Sequence, residues 1–283
     1  RGTTAERVRQ LSTRSDQLYP NTDAGRTQLL ADLNRQMAAI IARMPEVMGA
    51  QARAGCEIRR VPAEIEAGAP GGYYMNASLD GSRPGAYYIN LRDTAEWPRF
   101  TLPTLTYHEA VPGHHWQGTI QQEAQGLPFI RSALMGFNAY SEGWGLYSEQ
   151  LADEMGVYGD NPLGRVGYLQ SMLFRSSRLV VDTGIHHLRW TREQAIQSML
   201  QATGDQESSV TTEIERYSVW PGQACGYMVG RQAINRIRDS ARATLGNRFD
   251  LRGFHDAVLL NGGVPLSVLE TIVNEWAASR QAA

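Results

Sequence analysis

Three of the six histidines in this sequence fall within eight residues, in a segment that also carries a glutamate, a proline and a glycine. The segment reads Tyr107-His108-Glu109-Ala110-Val111-Pro112-Gly113-His114-His115. Imidazole nitrogens are common zinc ligands, and a carboxylate beside them can take a proton from water on the metal. An isolated His-Glu pair is ordinary on a helix surface, but three histidines around Pro-Gly favour metal binding. The segment therefore predicts metal-assisted hydrolysis, with Glu109 as the general base.

The histidine spacing differs from the usual HExxH pattern, in which the two histidines lie four residues apart. His114 follows His108 by six residues, and on a regular helix this spacing turns the two side chains about 240° apart. Pro112 lacks the N–H that would bond to the His108 carbonyl, and Gly113 adds backbone freedom. We therefore expect a bulge that returns His114 to the side of His108. His115 is the alternative second ligand, because seven residues would place it on that side of a regular helix.

A hydrolytic zinc site needs a third protein ligand and leaves one position for water. The segment from 138 to 149 has the pattern of the next helix and offers two carboxylates, Glu142 and Glu149. Small residues flank Glu142 and would let a second helix approach the metal closely. Glu149 lies two helical turns further on, where it could support a ligand or serve the fold. Glu142 is therefore the favoured third ligand.

The elements around these motifs are mostly helical. The apolar spacing predicts helices over 4–18 and 23–53, and a Gly- and Pro-rich stretch follows from 55 to 72. Residues 73–76 and 86–90 have the composition of two short strands with turn residues between them, so we expect a β-hairpin. Further helices are predicted at 102–125, 129–155, 163–182, 191–203, 207–217, 221–244, 250–260 and 265–279. The predicted fold class is mainly α, with a small β-hairpin before the metal-binding helix.

We expect one mostly helical domain over 1–283, with a helical lead-in at 1–55, a hairpin region at 56–95 and a metal-site core at 96–283. With 42% hydrophobic and 20% charged residues, the composition is that of a soluble globular protein. The sequence has no run of about 18 apolar residues, so we predict no membrane span. A net charge of −2 gives no reason to expect nucleic acid. Cys56 and Cys225 stand in no metal-binding spacing, and we favour free thiols over a bridge between them.

The segment from His108 to His115 and the Glu142-Gly143-Trp144 motif together resemble DUF885, a family of bacterial proteins with the signature HExxPGHH followed by EGW. The resemblance covers about residues 60–280. These proteins are similar to the helical gluzincin peptidases, such as angiotensin-converting enzyme and the thermostable carboxypeptidases. The resemblance implies a multi-helix zincin-like catalytic domain. It also implies Zn²⁺ on His108, His114 and Glu142, with Glu109 as general base.

Members of this family are commonly about twice as long as this chain. The resemblance therefore implies that the chain is the C-terminal half of a longer protein. An N-terminal domain or an oligomer partner would then supply the other wall of the substrate cleft.

Two further segments, 182–195 and 220–227, also match the family. In the helical gluzincins a late tyrosine and a late histidine stabilise the oxyanion of the reaction. Tyr227 and His186 are the matching candidates for this role. The alternatives are an ordinary core position for Tyr227 and, for His186, a helix cap or a bond to Asp182.

The resemblance also gives the hairpin a role, because gluzincins commonly lay an extended substrate along an edge strand. The side chains that could line this edge are Tyr73, Tyr74, Tyr88 and Asn90. Arg83 or Arg231 could receive a carboxylate terminus through two parallel hydrogen bonds. Packing and solvation are the alternative roles of these side chains.

The function predicted from the sequence is that of a zinc-dependent metallopeptidase, carboxypeptidase-like or dipeptidase-like, acting on a peptide or small amide substrate. Two alternatives stay open: a non-catalytic helical binding module on the same scaffold, and a zinc amidase with a non-peptide substrate. Because the family resembles exported bacterial proteins, we expect the cell envelope, periplasm or outside of the cell rather than the cytoplasm.

Overall fold

The computed structural model describes residues 2–282, and this part of the chain contains eleven α-helices and one three-stranded sheet. The strands are β1 (Cys56–Arg60), β2 (Gly72–Met75) and β3 (Gly85–Ile89). The helices are α1 (Thr4–Ser12), α2 (Asp23–Ile41), α3 (Leu102–Glu109), α4 (His114–Glu123), α5 (Asn138–Glu154), α6 (Pro162–His186), α7 (Arg192–Thr203), α8 (Glu207–Val219), α9 (Gly226–Leu245), α10 (Leu251–Leu259) and α11 (Leu266–Ala282). The mainly α fold class is therefore confirmed.

The predicted hairpin is present as β2 and β3, which pair antiparallel with Tyr73 opposite Tyr88 and Tyr74 opposite Tyr87. The third strand, β1, was not predicted. It pairs parallel to the other edge of β3, so the sheet order is β1-β3-β2. Its sequence Cys-Glu-Ile-Arg-Arg carries three charges, and only Ile58 among its side chains is buried. The local pattern is therefore weak, and pairing with a distant strand decides the structure of this segment.

Four of the predicted helices are clearly wrong in extent. The helix predicted over 4–18 ends at Ser12, and a separate 3₁₀ turn follows over Ser15–Gln17. The helix predicted over 23–53 ends at Ile41, shortly before Pro45, which disfavours helical geometry in the residue that precedes it. The helix predicted over 129–155 starts at Asn138, after a separate π-helical turn over Ile130–Leu134. The helix predicted over 102–125 is divided into α3 and α4 by residues 110–113. This last division lies at the predicted site.

Helix α5 runs through the centre of the fold. Its side chains Tyr140, Trp144 and Tyr147 have no solvent exposure and belong to the main hydrophobic core, which extends from α2 through β3 to α11. A second core joins α6, α7 and α8. A small apolar cluster on α5 and α9 lies between the two, and Tyr227 is one of its members. Within residues 2–282, none of the helices combines the length and the apolar character needed to cross a membrane.

Candidate metal centre

The break between α3 and α4 brings the two predicted histidine ligands together. His108 lies in the last turn of α3, and His114 is the first residue of α4. Pro112, in a cis peptide bond with Val111, lies between them, and its missing N–H prevents a continuous helix. We predicted a bulge within one continuous helix. This prediction was wrong, because the helix is interrupted between His108 and His114. The imidazole rings of His108 and His114 are nevertheless neighbours, with centroids 4.8 Å apart.

Helix α5 holds the loop between α3 and α4 in place. Trp144 Nε1 donates a hydrogen bond to the Pro112 carbonyl at 2.9 Å, and Ser148 Oγ donates to the same oxygen at 3.2 Å. Trp144 itself is fully buried. The tryptophan of the EGW motif therefore fixes the backbone between the two histidines, while the glutamate of the same motif faces their rings.

Glu142 on α5 completes the cluster. Its Oε2 atom lies 3.4 Å from His108 Nε2 and 3.2 Å from His114 Nε2. Potential ligand atoms of the three residues all lie within 4.8 Å of one another. Among residues 2–282, no other His, Cys, Asp or Glu residues form such a group of three.

The donor set fits a metal ion better than it fits a hydrogen-bonded cluster. Glu142 Oε2 is buried and has no hydrogen-bond partner, even though two ring nitrogens lie close to it. A buried carboxylate oxygen without a partner is costly in an apolar interior. Two imidazole nitrogens and one carboxylate oxygen converging on one point are the donors of a catalytic zinc site. His108, His114 and Glu142 are thus the residues that could hold a metal.

Two glycines of α5 make the close packing around Glu142 possible. A Cβ atom on Gly145 would lie 2.7 Å from His108 Cε1, so a larger residue would collide with the ring. A Cβ atom on Gly143 would lie 2.5 Å from the Cα of Gly230, where α9 crosses α5. The small residues beside Glu142 therefore admit both the imidazole on one side and a neighbouring helix on the other.

Glu149, two turns along α5, supports His108 from behind. His108 Nδ1 donates to Glu149 Oε1 at 2.9 Å, and Thr104 donates to the other carboxylate oxygen. This bond fixes the tautomer in which Nε2 is turned towards Glu142. Burial opposes the charged form of His108, but the carboxylates of Glu142 and Glu149 outweigh it and raise its pKa to about 9. A metal ion and a proton would compete for the same lone pair on His108 Nε2.

Two further polar groups lie near the histidines. Glu109 is buried next to His108, and its carboxylate is close enough to raise the pKa values of both His108 and Tyr87. The Tyr227 ring stacks on the His108 ring with centroids 5.9 Å apart and an interplanar angle of 22°. Burial raises the pKa of the Tyr227 phenol, and Glu142 acts in the same direction. The phenol therefore keeps its proton at neutral pH and can donate it.

Tyr87 is the residue of this site that the sequence reasoning missed. Its hydroxyl is buried and has no hydrogen-bond partner, and Glu109 contributes to the rise in its pKa. The predicted edge residues were Tyr73, Tyr74, Tyr88 and Asn90. Tyr73 and Tyr88 share one face of the sheet, where their rings stack with centroids 5.1 Å apart, and the Asn90 side chain donates to the carbonyls of Glu66 and Ala69. The available sequence signal for Tyr87 was the alternation of side chains along a strand, which places it on the face opposite Tyr88.

His115 and His186 lie in other surroundings. His115 Nδ1 is hydrogen-bonded to the Tyr74 hydroxyl at 2.9 Å, and burial lowers the pKa of His115 to about 4. This places His115 against the sheet, and His114 occupies the position beside His108. His186 is exposed at the end of α6, and its Nε2 donates to the carbonyl of Tyr217 at 2.9 Å. The structure therefore gives His186 the role of a link between α6 and α8.

Two of the predicted substrate-binding residues have polar partners of their own. Tyr74 is bound to His115, as described, and the Arg83 guanidinium donates to the carbonyls of Asn76 and Pro84 within the hairpin loop. Arg231 is half-buried on α9; its Nη1 contacts the sulfur of Met228 at 3.7 Å, and its Nε is buried without a hydrogen-bond partner. Its backbone N would lie 3.0 Å from a Cβ atom on Gly143, the residue after Glu142. Both cysteines are free thiols, as predicted.

The fold and the site together define a mainly helical protein with a His-His-Glu cluster between α3, α4 and α5, in which His108 is buried and His114 and Glu142 are half-buried. The chain belongs to DUF885, a family described as bacterial proteins of unknown function, whose sequence profile matches residues 1–273. No curated protein matches the sequence.

Several solved structures resemble this chain, and two of them are described here by their similarity. A candidate lipoprotein from Colwellia psychrerythraea is 50% identical, with a TM-score of 0.96, and the match covers 99% of this chain and 48% of that one. A candidate lipoprotein of unknown function from Shewanella oneidensis is 23% identical, with a TM-score of 0.78, over 97% of this chain and 50% of that one. The chain thus spans about half the length of the solved proteins that it matches.

Proposed function

We propose that this chain carries the catalytic centre of a zinc-dependent hydrolase that cleaves peptide bonds, in the manner of the helical gluzincin peptidases. The observation that carries the proposal is Glu142 Oε2, a buried carboxylate oxygen without a hydrogen bond, facing two imidazole nitrogens. The chemistry of this donor set favours zinc, which takes nitrogen and oxygen ligands in catalytic sites and keeps one position open.

Zinc held by His108, His114 and Glu142 would polarise a substrate carbonyl and lower the pKa of a water towards neutrality. Glu109, adjacent in sequence to His108, accepts the proton of the attacking water and passes it to the leaving amine. The Tyr227 phenol, stacked on His108, donates a hydrogen bond to the oxygen that becomes negative as the carbonyl is attacked. Glu149 keeps His108 in the tautomer that this arrangement requires.

The first test is the zinc content per chain after purification without a metal-affinity column. We expect about one zinc in the wild type and little in His108→Ala and Glu142→Ala. The matched control is His187→Ala, because His187 is an exposed histidine at the end of α6, outside the cluster. Absence of zinc from the wild type, after zinc has been offered, would overturn the proposal and favour a non-catalytic binding module.

The second test is hydrolysis of a mixture of short peptides, with the products identified by mass spectrometry. Cleavage that depends on zinc and is lost in His108→Ala supports a peptidase. Zinc binding without cleavage of any peptide, but with cleavage of small non-peptide amides, would assign the same residues to an amidase.

We further propose a location in the cell envelope. The supporting observation is that the solved protein 50% identical to this chain is described as a candidate lipoprotein. Fractionation of cells of the source organism, with an antibody to this chain, tests the location. Recovery in the cytoplasmic fraction would contradict it.

A further inference from the structure

A cluster of arginines lies on the side of Tyr227 formed by α6 and α8. Arg175 and Arg178 are three residues apart on α6 and therefore share a face of that helix. Their guanidinium carbons lie 5.3 Å and 4.4 Å from the centre of the Tyr227 ring. Arg216 on α8 joins them through Glu213, which accepts hydrogen bonds from both Arg178 and Arg216.

The acids around this cluster do not pair with all of its guanidinium groups. Glu213 pairs with Arg178 and Arg216, at 2.7 Å and 2.8 Å. Burial raises the pKa of Asp205 and opposes the charged form of Glu149, and the charge of Arg175 acts on both carboxyls in the opposite direction. Neither forms a salt bridge with Arg175: Asp205 accepts from Gln170 at 2.5 Å, and Glu149 is bound to His108. Among the described residues, Arg175 is thus the guanidinium of this cluster without a salt bridge.

The cluster also has buried N–H groups without partners. The Arg178 side chain is only 5% exposed, and its Nη1 has no hydrogen bond, although its other nitrogens bond to Tyr217 and Glu213. The Nε atoms of Arg175 and Arg216 are likewise buried and unpartnered. Buried donors normally find acceptors. Three such donors in one cluster, two of them on arginines that contact the Tyr227 ring, are the complement of an anion with several acceptor oxygens.

We propose that Arg175 and Arg178, with Arg216 behind them, bind a carboxylate of the substrate, namely the C-terminal carboxylate of a peptide. The inference rests on the proposed function, since it places this carboxylate beside the cluster that would hold zinc. His108 and Arg178 both pack against the Tyr227 ring, so they lie within about 10 Å of each other. An extended peptide spans about 3.5 Å per residue. The leaving segment is therefore no longer than about three residues.

This site differs from the predicted one. Arg83 is bound to carbonyl groups of its own loop, and Arg231, which also has a buried Nε without a partner, contacts Met228 on α9. A carboxylate at Arg175 and Arg178 instead lies next to the phenol that would stabilise the oxyanion. Binding of the carboxylate and stabilisation of the oxyanion are then coupled through one side chain, Tyr227.

The test measures binding without turnover. The Glu109→Gln protein is titrated calorimetrically with two peptides, acetyl-Ala-Ala-Ala with a free carboxylate and the same peptide as its C-terminal amide. We expect the free acid to bind about tenfold more tightly or better, because charge-assisted hydrogen bonds are among the strong ones. Equal affinity of the two peptides would overturn the proposal.

The assignment to these arginines is tested by two variants in the same background. Arg175→Gln removes a guanidinium that has no salt bridge among the described residues, and we expect the preference for the free acid to fall to less than threefold. Arg178→Lys keeps a charge opposite Glu213 but removes the free Nη1 donor, and the preference should fall as well. Arg165→Gln is the matched control, since Arg165 is an exposed arginine of α6 paired with Asp153. An unchanged preference in both test variants would overturn the assignment, provided that thermal melting shows them folded.

A third peptide, acetyl-Ala-Ala-Glu amide, separates a terminal carboxylate from a side-chain carboxylate. Weak binding of this peptide supports the C-terminal assignment, and binding as tight as that of the free acid would overturn it.

Failure of the proposed function gives a different set of results. If the protein binds no zinc and cleaves no peptide, but still binds the free acid more tightly in a way that depends on Arg175, the proposed function fails and the carboxylate site stands. If zinc-dependent hydrolysis of the free-acid peptide and of the amide peptide proceeds at equal rates, the peptidase proposal stands and the carboxylate site is overturned.

Discussion

Two buried histidines lie against α5, and their surroundings are opposite in kind. His255, from α10, donates through Nδ1 to the Val47 carbonyl at 2.7 Å. Its Nε2 accepts from the Tyr147 hydroxyl at 2.9 Å, and that hydroxyl in turn accepts from Arg238. His108 has a partner for Nδ1 in Glu149, but its Nε2 faces Glu142 Oε2, an oxygen without a hydrogen bond.

The two histidines also differ in the direction of their pKa shifts. Burial lowers the pKa of His255 to about 4, and Arg238 acts in the same direction, while the hydrogen bond to Val47 opposes this shift. At His108 the effect of burial is outweighed by two carboxylates, and the pKa rises to about 9. Burial alone therefore does not distinguish the surroundings of these two histidines. The two histidines are distinguished by how completely they are hydrogen-bonded and by the charge of their neighbours.

The largest expected effect comes from removing the base beside His108. We expect Glu109→Gln to lower kcat/KM for a cleaved peptide by about 10²- to 10⁴-fold, since an amide cannot accept the proton of the attacking water. Zinc content should stay near one per chain, because Glu109 is not among the three converging ligands. Steady-state kinetics and metal analysis measure the two quantities. Glu123→Gln on α4 is the control, and full activity in Glu109→Gln would remove the proposed mechanism.

The next prediction compares the stability of the protein after replacement of His255 with its stability after replacement of a histidine of the candidate metal centre, His114. We expect His255→Phe to lower the free energy of unfolding by about 3 kcal/mol, because Tyr147 and Val47 lose hydrogen-bond partners in the core. His114→Ala should change the stability of the metal-free protein by less than about 1 kcal/mol, since the half-buried His114 ring loses only its contacts with Glu142 and with the His108 ring. Urea unfolding at pH 7 measures both. The reverse order of the two losses would contradict the comparison.

A pH dependence follows from the neutral state of His255. Its pKa is about 4 in the folded protein and about 6.5 when unfolded. The unfolded state therefore binds more protons between these values, and stability falls as the pH falls from 6.5 towards 4. Between pH 7 and pH 5 His255 should contribute a loss of about 2 kcal/mol. Urea midpoints at the two pH values test this against His255→Gln, which cannot titrate and should lose about 2 kcal/mol less. An equal loss in both proteins would assign the acid sensitivity to other groups.

The sequence was sufficient to predict the site residues that depend on local chemistry. The pairing of His108 with His114 followed from the backbone properties of Pro112 and Gly113, and the closeness of Glu142 followed from the small residues around it. Helices with strong end signals were also predicted closely. The helix predicted over 191–203 is observed from Arg192 to Thr203, with a capping box at its start and a left-handed glycine after its end.

The features that the sequence did not predict depend on contacts between distant segments. β1 forms because β3, far along the chain, offers a free edge. The hydrogen bonds from Trp144 to Pro112 and from Thr104 to Glu149 require three elements to meet. The arginines around Tyr227 come from two helices whose local patterns are those of ordinary amphipathic surfaces, so only the packing of α6, α8 and α9 reveals their unpartnered donors.

The smallest expected effect concerns the partner behind His108. We expect Glu149→Gln to weaken zinc binding about tenfold, because a neutral amide supports the basicity of the imidazole less well than a carboxylate does. The amide oxygen can still accept from His108 Nδ1, so the orientation of the ring should persist and the fold should be retained. Competition with a chelator of known affinity measures the change. Glu154→Gln is the matched control on the same helix, since Glu154 pairs with Arg238 in the His255 cluster. If both variants bind zinc as the wild type does, Glu149 serves only the fold, and His108 differs from His255 less than its contacts imply.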